Sequence, residues 1–132
     1  MKIYLAGSYS SKFGTVGIII NIIKAWIVAR RLWGLGFTVL CPHTNAGLMG
    51  GKRIPEQRFI DGDLELLANC DALVLLKGWE TSRGTIGEIR FAVEKYIPVF
   101  PETQLEFLKT AKIIDLSVIC KLKRCGGLAN NV

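Results

Sequence analysis

A chain of 132 residues with half of them hydrophobic is long enough to bury one real core and too apolar to be disordered. Its net charge of +6, from 17 basic against 11 acidic side chains, suits anionic partners, small nucleotides as much as nucleic acid. Four cysteines without a C-x-x-C pair argue against zinc, and no uninterrupted apolar run reaches the ~18 residues that would suggest a membrane span.

The N-terminus enters a strand directly, over Lys2–Ala6, without signal-peptide anatomy, so a cytoplasmic protein is expected. The loop Gly7-Ser8-Tyr9-Ser10-Ser11 follows at the strand's carboxyl end; Gly7 permits close backbone approach to a ligand and the hydroxyls offer donors. A helix is expected from about Val16 to Leu35, closed by Gly34 and Gly36. Its Ile18, Ile19, Ile22, Ile23, Trp26, Ile27 and Trp33 cover more than one face, which predicts burial against a partner subunit as well as the sheet.

Phe37–Cys41 reads as a second strand, completing a right-handed β-α-β unit, and Pro42-His43-Thr44-Asn45 ends it. The glycine-rich stretch 46–55 has the character of a lid or binding loop. His43 reads equally as a ligand contact and as a structural residue. A helix then runs from about Pro55 to before Cys70; its Asp61 and Asp63, two residues apart, cannot share a face, so only one can enter a given site. Asp71 opens the next strand at its amino end and reads as a cap or turn residue. Cys41 and Cys70 lie in apolar segments and read as reduced core residues.

Ala72–Leu76 is an unbroken apolar run, the pattern of a parallel strand covered on both faces. Gly78 breaks it, Trp79–Gly84 forms a polar loop, and a helical pattern begins at Thr85, placing Glu88 in its first turn. Ile97–Phe100 is the next strand. Thr103–Ala111 reads as a helix, 113–119 as strand or helix, and Gly126–Val132 as frayed. The expected fold is a single-domain, flavodoxin/Rossmann-like open parallel sheet flanked by helices over residues 1–132, with residues 101–132 a poorly defined extension. Ligands of such sheets bind outside the carboxyl ends of the strands, which brings Glu88 beside the crevice.

Four pieces, KIYLAGSYS, CPHTN, FIDGDLELLANCDALVLL and GWETSRGTIGE, together resemble the nucleoside 2-deoxyribosyltransferase-like superfamily, and within it the small bacterial and phage members near the deoxynucleoside 5′-monophosphate N-glycosidases. The match runs from Met1 to about Phe100. The resemblance implies that Glu88 is the nucleophile, attacking the anomeric carbon and holding the sugar as a covalent ester. It implies that Asp63 is the second catalytic carboxylate and Tyr4 a site tyrosine, with Gly7, Ser8, His43, Asn45, Trp79, Ser82 and Gly84 around the substrate. Where transferases acting on free nucleosides carry an acid, six residues before the nucleophile, this chain has Ser82, as the monophosphate-hydrolysing branch does. The implied partner is a small nucleoside or nucleotide, the implied assembly a homo-oligomer, and neither metal nor organic cofactor is implied.

The chemistry fits those residue types. Breaking an N-glycosidic bond builds positive charge on the sugar and negative charge on the base, which a carboxylate and a proton donor answer. A helix-start position is expected to keep Glu88 ionised, and the Ser82-Arg83-Gly84 amides to cradle a phosphate. Against this stand plain readings: Glu88 as dipole compensation, Ser82 as an N-cap, Trp79 as packing, Asp63 as a solvated acid, Glu80 as a rival nucleophile on the loop. A ribonucleotide phosphoribohydrolase would carry a Pro-Gly-Gly-x-Gly-Thr signature, absent here. A non-catalytic nucleotide sensor on the same fold remains an alternative; membrane association is not expected. A nucleic-acid module lacks the interleaved aromatic and basic residues it would need.

Overall fold

The computed structural model describes residues 1–47, 49 and 53–108. Four parallel strands, β1 (Lys2–Ala6), β2 (Thr38–Leu40), β3 (Ala72–Leu75) and β4 (Val99–Pro101), form one sheet in the order β2-β1-β3-β4. Helix α1 (Gly14–Gly34) connects β1 to β2, α3 (Glu56–Ala68) leads into β3, and α4 (Arg83–Glu94) joins β3 to β4. The α/β class, the parallel sheet and its flanking helices are those the sequence predicted.

Alternation along the two central strands builds a core on each face of the sheet. Ile3 and Leu5 of β1, with Ala72 and Val74 of β3, pack with Ala25, Ala29 and Leu32 of α1. Tyr4 and Ala6, with Leu73 and Leu75, face the other way, toward Leu67 at the end of α3 and Ala92 of α4. Tyr4 is therefore directed toward α3 and α4 by the phase of β1 alone. Parallel pairing of β1 with β3 brings Ala6 level with Leu75, so the loops after both strands emerge side by side.

Asp71 has the structural role expected of it: its carboxylate accepts from the Lys2 amide at 2.6 Å, while its own amide donates to the Lys2 carbonyl at 2.8 Å. Beyond shifts of one or two residues at the ends of α1, β2, β3 and β4, three stretches differ from the sequence expectation. Pro42–Asn45, expected simply to end β2, is a short helix, α2, with Pro42 pre-set for a first turn. Trp79–Thr81 winds into a 3₁₀ turn, entered through Gly78 at φ 87°, a left-handed conformation suited to glycine. Helix α4 starts at Arg83, two residues before Thr85, because the Ser82 side chain caps it by accepting from the Thr85 amide; Glu88 thus lies in the second turn. After β4 a 3₁₀ turn covers Glu102–Gln104, and Leu105 and Leu108 join the core on the α1 side. The remainder of the helix expected to Ala111, the segment 113–119 and the terminal 126–132 lie outside the described residues. No helix among the described residues is long and apolar enough to cross a membrane.

Gly7 is required by the fold itself. A Cβ added there would sit 2.7 Å from both Cβ and Cδ1 of Leu76, and the Leu76 amide is bonded to the Ala6 carbonyl, which leaves that side chain little freedom to retreat. Gly7→Ala is expected to destabilise the protein by about 1–3 kcal/mol through overpacking, read from urea denaturation midpoints; an unchanged midpoint would mean that Leu76 repacks freely.

Candidate active site

A cleft of about 940 Å³ opens at the carboxyl ends of β1 and β3. Three segments supply most of its lining. The loop after β1 contributes Gly7, Ser8, Tyr9 and Ser10; α3 contributes Glu56, Phe59, Ile60, Asp63 and Leu64; the start of α4 contributes Ser82 to Thr85, then Gly87 and Glu88. The α3 positions follow i, i+3, i+4, i+7, i+8, a single helical stripe. Asp61 is off that stripe and accepts from Gln57 at 2.8 Å instead, so of the two neighbouring aspartates only Asp63 enters the cleft.

The centre of the site is a hydrogen bond between residues 84 positions apart: the Tyr4 hydroxyl donates to Glu88 Oε1 at 2.7 Å. Tyr4 has no exposed surface. Burial, then the adjacent Glu88 carboxylate, holds its phenol far above the usual tyrosine range, so it remains a donor. Glu88 is itself pushed up to about 7, chiefly by burial and secondarily by the charge of Asp63, against the lowering effect of the Tyr4 bond. The expectation that the helix dipole keeps Glu88 fully ionised is thereby corrected: in the second turn and mostly buried, desolvation outweighs the dipole, and near pH 7 the carboxyl is poised between its two forms. Burial also raises Asp63 above the usual carboxylate range. The cleft therefore holds two carboxyls whose burial favours the protonated form.

Around this pair, Ser82 both caps α4 and lines the cleft. Its Oγ accepts from the Thr85 amide at 3.3 Å and from Thr85 Oγ1 at 3.0 Å, leaving its own O–H as a donor. Gly84 also lines the cleft; a Cβ there would meet only Ser82 Oγ, at 3.9 Å, so the protein's own packing does not demand glycine. Ser8 differs from expectation: its hydroxyl donates to the Gly78 carbonyl at 2.9 Å, tying the β1 and β3 loops together rather than standing free as a donor. Gly7 lines the cleft, but the close approach it permits is to Leu76.

His43, on α2, lies in the cleft wall and is 5% exposed. Its Nε2 is 3.2 Å from the Ser8 carbonyl, which assigns the proton to Nε2. Burial lowers its pKa, so the ring is neutral, and buried Nδ1 has no partner among the described residues. The ring thus clamps α2 to the β1 loop.

Besides Tyr4, which is fully buried and reaches the cleft only through its bond to Glu88, two expected site residues are not brought to the cleft. Asn45 borders a separate small hollow beside β2 with Lys2 and Thr38. Trp79 packs against the Leu73 and Leu75 side of the core, because the 3₁₀ turn directs it toward that cluster. The rival Glu80 is exposed and does not line the cleft either. Conversely, the apolar residues Ile54, Phe59 and Ile60 line it without having been singled out. Asn21 supports it from behind, with Nδ2 donating to the Tyr9 and Ser10 carbonyls at 3.3 and 3.4 Å. A lone amide within the apolar run of α1 was the available signal for that role.

This arrangement, a partly buried glutamate on the helix after β3, braced by a tyrosine of β1 and sharing its cleft with an aspartate of α3, sits on an α/β fold that other proteins share. The solved structure of a 2-deoxyribosyltransferase from the psychrotolerant bacterium Bacillus psychrosaccharolyticus superposes with a TM-score of 0.55 at 24% identity, over 76% of this chain and 71% of that one. No curated protein matches the chain in sequence. The chain belongs to the family described as a domain of unknown function, DUF4406, which it matches over residues 1–100.

The burial of Glu88 has a consequence for stability. Its carboxyl titrates near 7 in the folded protein against an ordinary value of 4.5, so the native state holds its proton more tightly. Stability from this group is full below about pH 4.5 and is lost as pH rises through 7. Glu88→Gln removes that loss, and relative to the parent should gain on the order of 1–3 kcal/mol at pH 8 over its value at pH 4. Paired urea denaturations at the two pH values check this; a difference independent of pH would mean a solvated carboxylate.

Proposed function

We propose that this protein cleaves or exchanges the N-glycosidic bond of 2′-deoxynucleosides or their 5′-monophosphates through a covalent ester on Glu88. The observation that carries the reading is the Tyr4–Glu88 hydrogen bond, which holds Glu88 in a cleft that Asp63 also lines. The fold shared with a 2-deoxyribosyltransferase is consistent with it.

In the first step a Glu88 carboxylate oxygen bonds to the anomeric carbon as the C–N bond breaks. The bonding pair leaves with the base, which takes a proton from the acid form of Asp63. In the second step water, or the nitrogen of an acceptor base, attacks the same carbon; Glu88 leaves as carboxylate and Asp63 recovers a proton. The raised pKa of Asp63 suits the donor role, and the ionised fraction of Glu88 the nucleophilic one. Tyr4 keeps one carboxylate oxygen in place, which leaves the other for attack. Ser82, with its O–H unspent, and the Arg83 and Gly84 amides at the start of α4 would receive a 5′-phosphate. The apolar stripe of Phe59 and Ile60 offers a planar base a surface to lie on.

Release of free base from a panel of deoxynucleosides and their 5′-monophosphates, followed chromatographically, tests this. Turnover is expected in the parent and should fall by about 10³-fold or more in Glu88→Ala. Preference for monophosphates supports the Ser82 cradle and hydrolysis. Turnover only of free nucleosides, boosted by an added base, would make Ser82 a cap alone. Base release that persists in Glu88→Ala would overturn the assignment of the nucleophile. Binding without turnover in any compound would favour a nucleotide sensor.

A further inference from the structure

We propose that α1 forms a two-fold contact between copies of this chain, the two helices running antiparallel and crossing near Ile23. On the sheet side of α1, Ala25, Ala29 and Leu32 are buried. On its outer side Val16, Ile19, Ile20, Ile23, Ile27, Trp26 and Trp33 are 42–66% exposed. A helix apolar on both sides is built to be covered on both. Ile19, Ile23 and Ile27 form one i, i+4 ridge along the outer face, the element that ridge-into-groove packing uses.

The area suits a second copy. These seven half-exposed side chains present about 500 Å² of apolar surface, so pairing two such faces removes about 1,000 Å² from water. That reaches the size a specific interface must clear, about 1,000 Å², before any flanking polar area is counted.

Charge sets the orientation. The helix carries Lys24, Arg30 and Arg31 and no acid, and no acidic residue precedes Glu56 in the chain. Parallel helices in register would bring all three cations beside their own copies, whereas the antiparallel pair leaves only Lys24, one residue from the crossing, near its copy. An antiparallel pair centred on Ile23 places Ile27 opposite Ile19, and Arg30 opposite Val16. Arg30 is seven residues from the crossing, about 10.5 Å at the helical rise, so the two Arg30 side chains lie about 21 Å apart. That exceeds the ~8 Å screening length of physiological salt. The guanidinium also rests 5.7 Å from the Trp26 ring centroid, a cation–π contact within the apolar strip.

The contact lies across the sheet from Glu88 and does not rest on the catalytic reading; either can fail alone. Sedimentation velocity of the full chain from 1 to 100 µM should show a dimer of twice the 14.6 kDa chain mass. Ile23→Glu should yield the monomer with unchanged far-UV circular dichroism, since Ile23 is half exposed and fills no core space. Under mild oxidation Ile23→Cys should form an intermolecular disulfide far faster than Val16→Cys, with the parent as control for its own cysteines. Equal cross-linking at both positions would overturn the antiparallel geometry, and a dimer surviving Ile23→Glu would overturn the interface. A parent that remains monomeric would overturn the whole proposal. Protection of the α1 tryptophans from an aqueous quencher in that monomer would assign the cover to residues 109–132, and binding of that monomer to anionic vesicles would assign it to a lipid surface.

Discussion

The Tyr4–Glu88 hydrogen bond is the constraint on which the site depends, because it gives a partly buried carboxyl of the cleft a fixed partner. Each end is positioned by a different rule. Tyr4 is aimed by strand alternation on a central strand, with Ile3 and Leu5 taking the opposite face. Glu88 is aimed by helix phase, counted from the Ser82 cap that fixes where α4 begins. A shift of one residue in either element would turn a side chain away and leave a buried acid or phenol unpaired, at a cost well above that of the bond itself.

The two faces of the sheet divide the work. The face carrying Tyr4, α3 and α4 builds the cleft, and its packing is interrupted by polar groups that answer one another: Tyr4 with Glu88, Thr85 with Ser82. The face carrying α1 is apolar throughout. Asn21 is the link between the two, since it reaches from α1 to the carbonyls of the loop that forms one wall of the cleft. Ser8 and His43 complete that wall, Ser8 by bonding to the β3 loop and His43 by bonding to the β1 loop.

Much of this was legible in the sequence. The apolar run Ala72–Leu76 announced a buried parallel strand and Lys2–Ala6 a first strand, and the two-residue spacing of Asp61 and Asp63 predicted that only one could enter the cleft. The family resemblance implied Glu88, Asp63 and Tyr4 as a set; the fold brings Glu88 and Asp63 to one cleft, with Tyr4 buried against Glu88. What sequence could not give was the balance of forces once they meet. Glu88 was expected to stay ionised because of the helix dipole, whereas its burial in the cleft wall has the stronger influence on its proton. Asn45 and Trp79 were misplaced for a local reason: each sits in a short turn, α2 or the 3₁₀ turn, too brief for hydrophobic periodicity to reveal which way a side chain faces. Gly7 was read as room for a ligand, and the neighbour it makes room for is Leu76.

The central claim is that Glu88 carries the sugar. Its most direct test is intact-protein and peptide mass spectrometry after incubation with a 2-deoxy-2-fluoro nucleoside 5′-monophosphate, whose fluorine slows breakdown of a glycosyl ester. The account predicts a mass increase of one fluorosugar phosphate confined to the peptide containing Glu88 and absent from Glu88→Gln. Release of base with no adduct, or an adduct on Asp63 or Glu80, would contradict it.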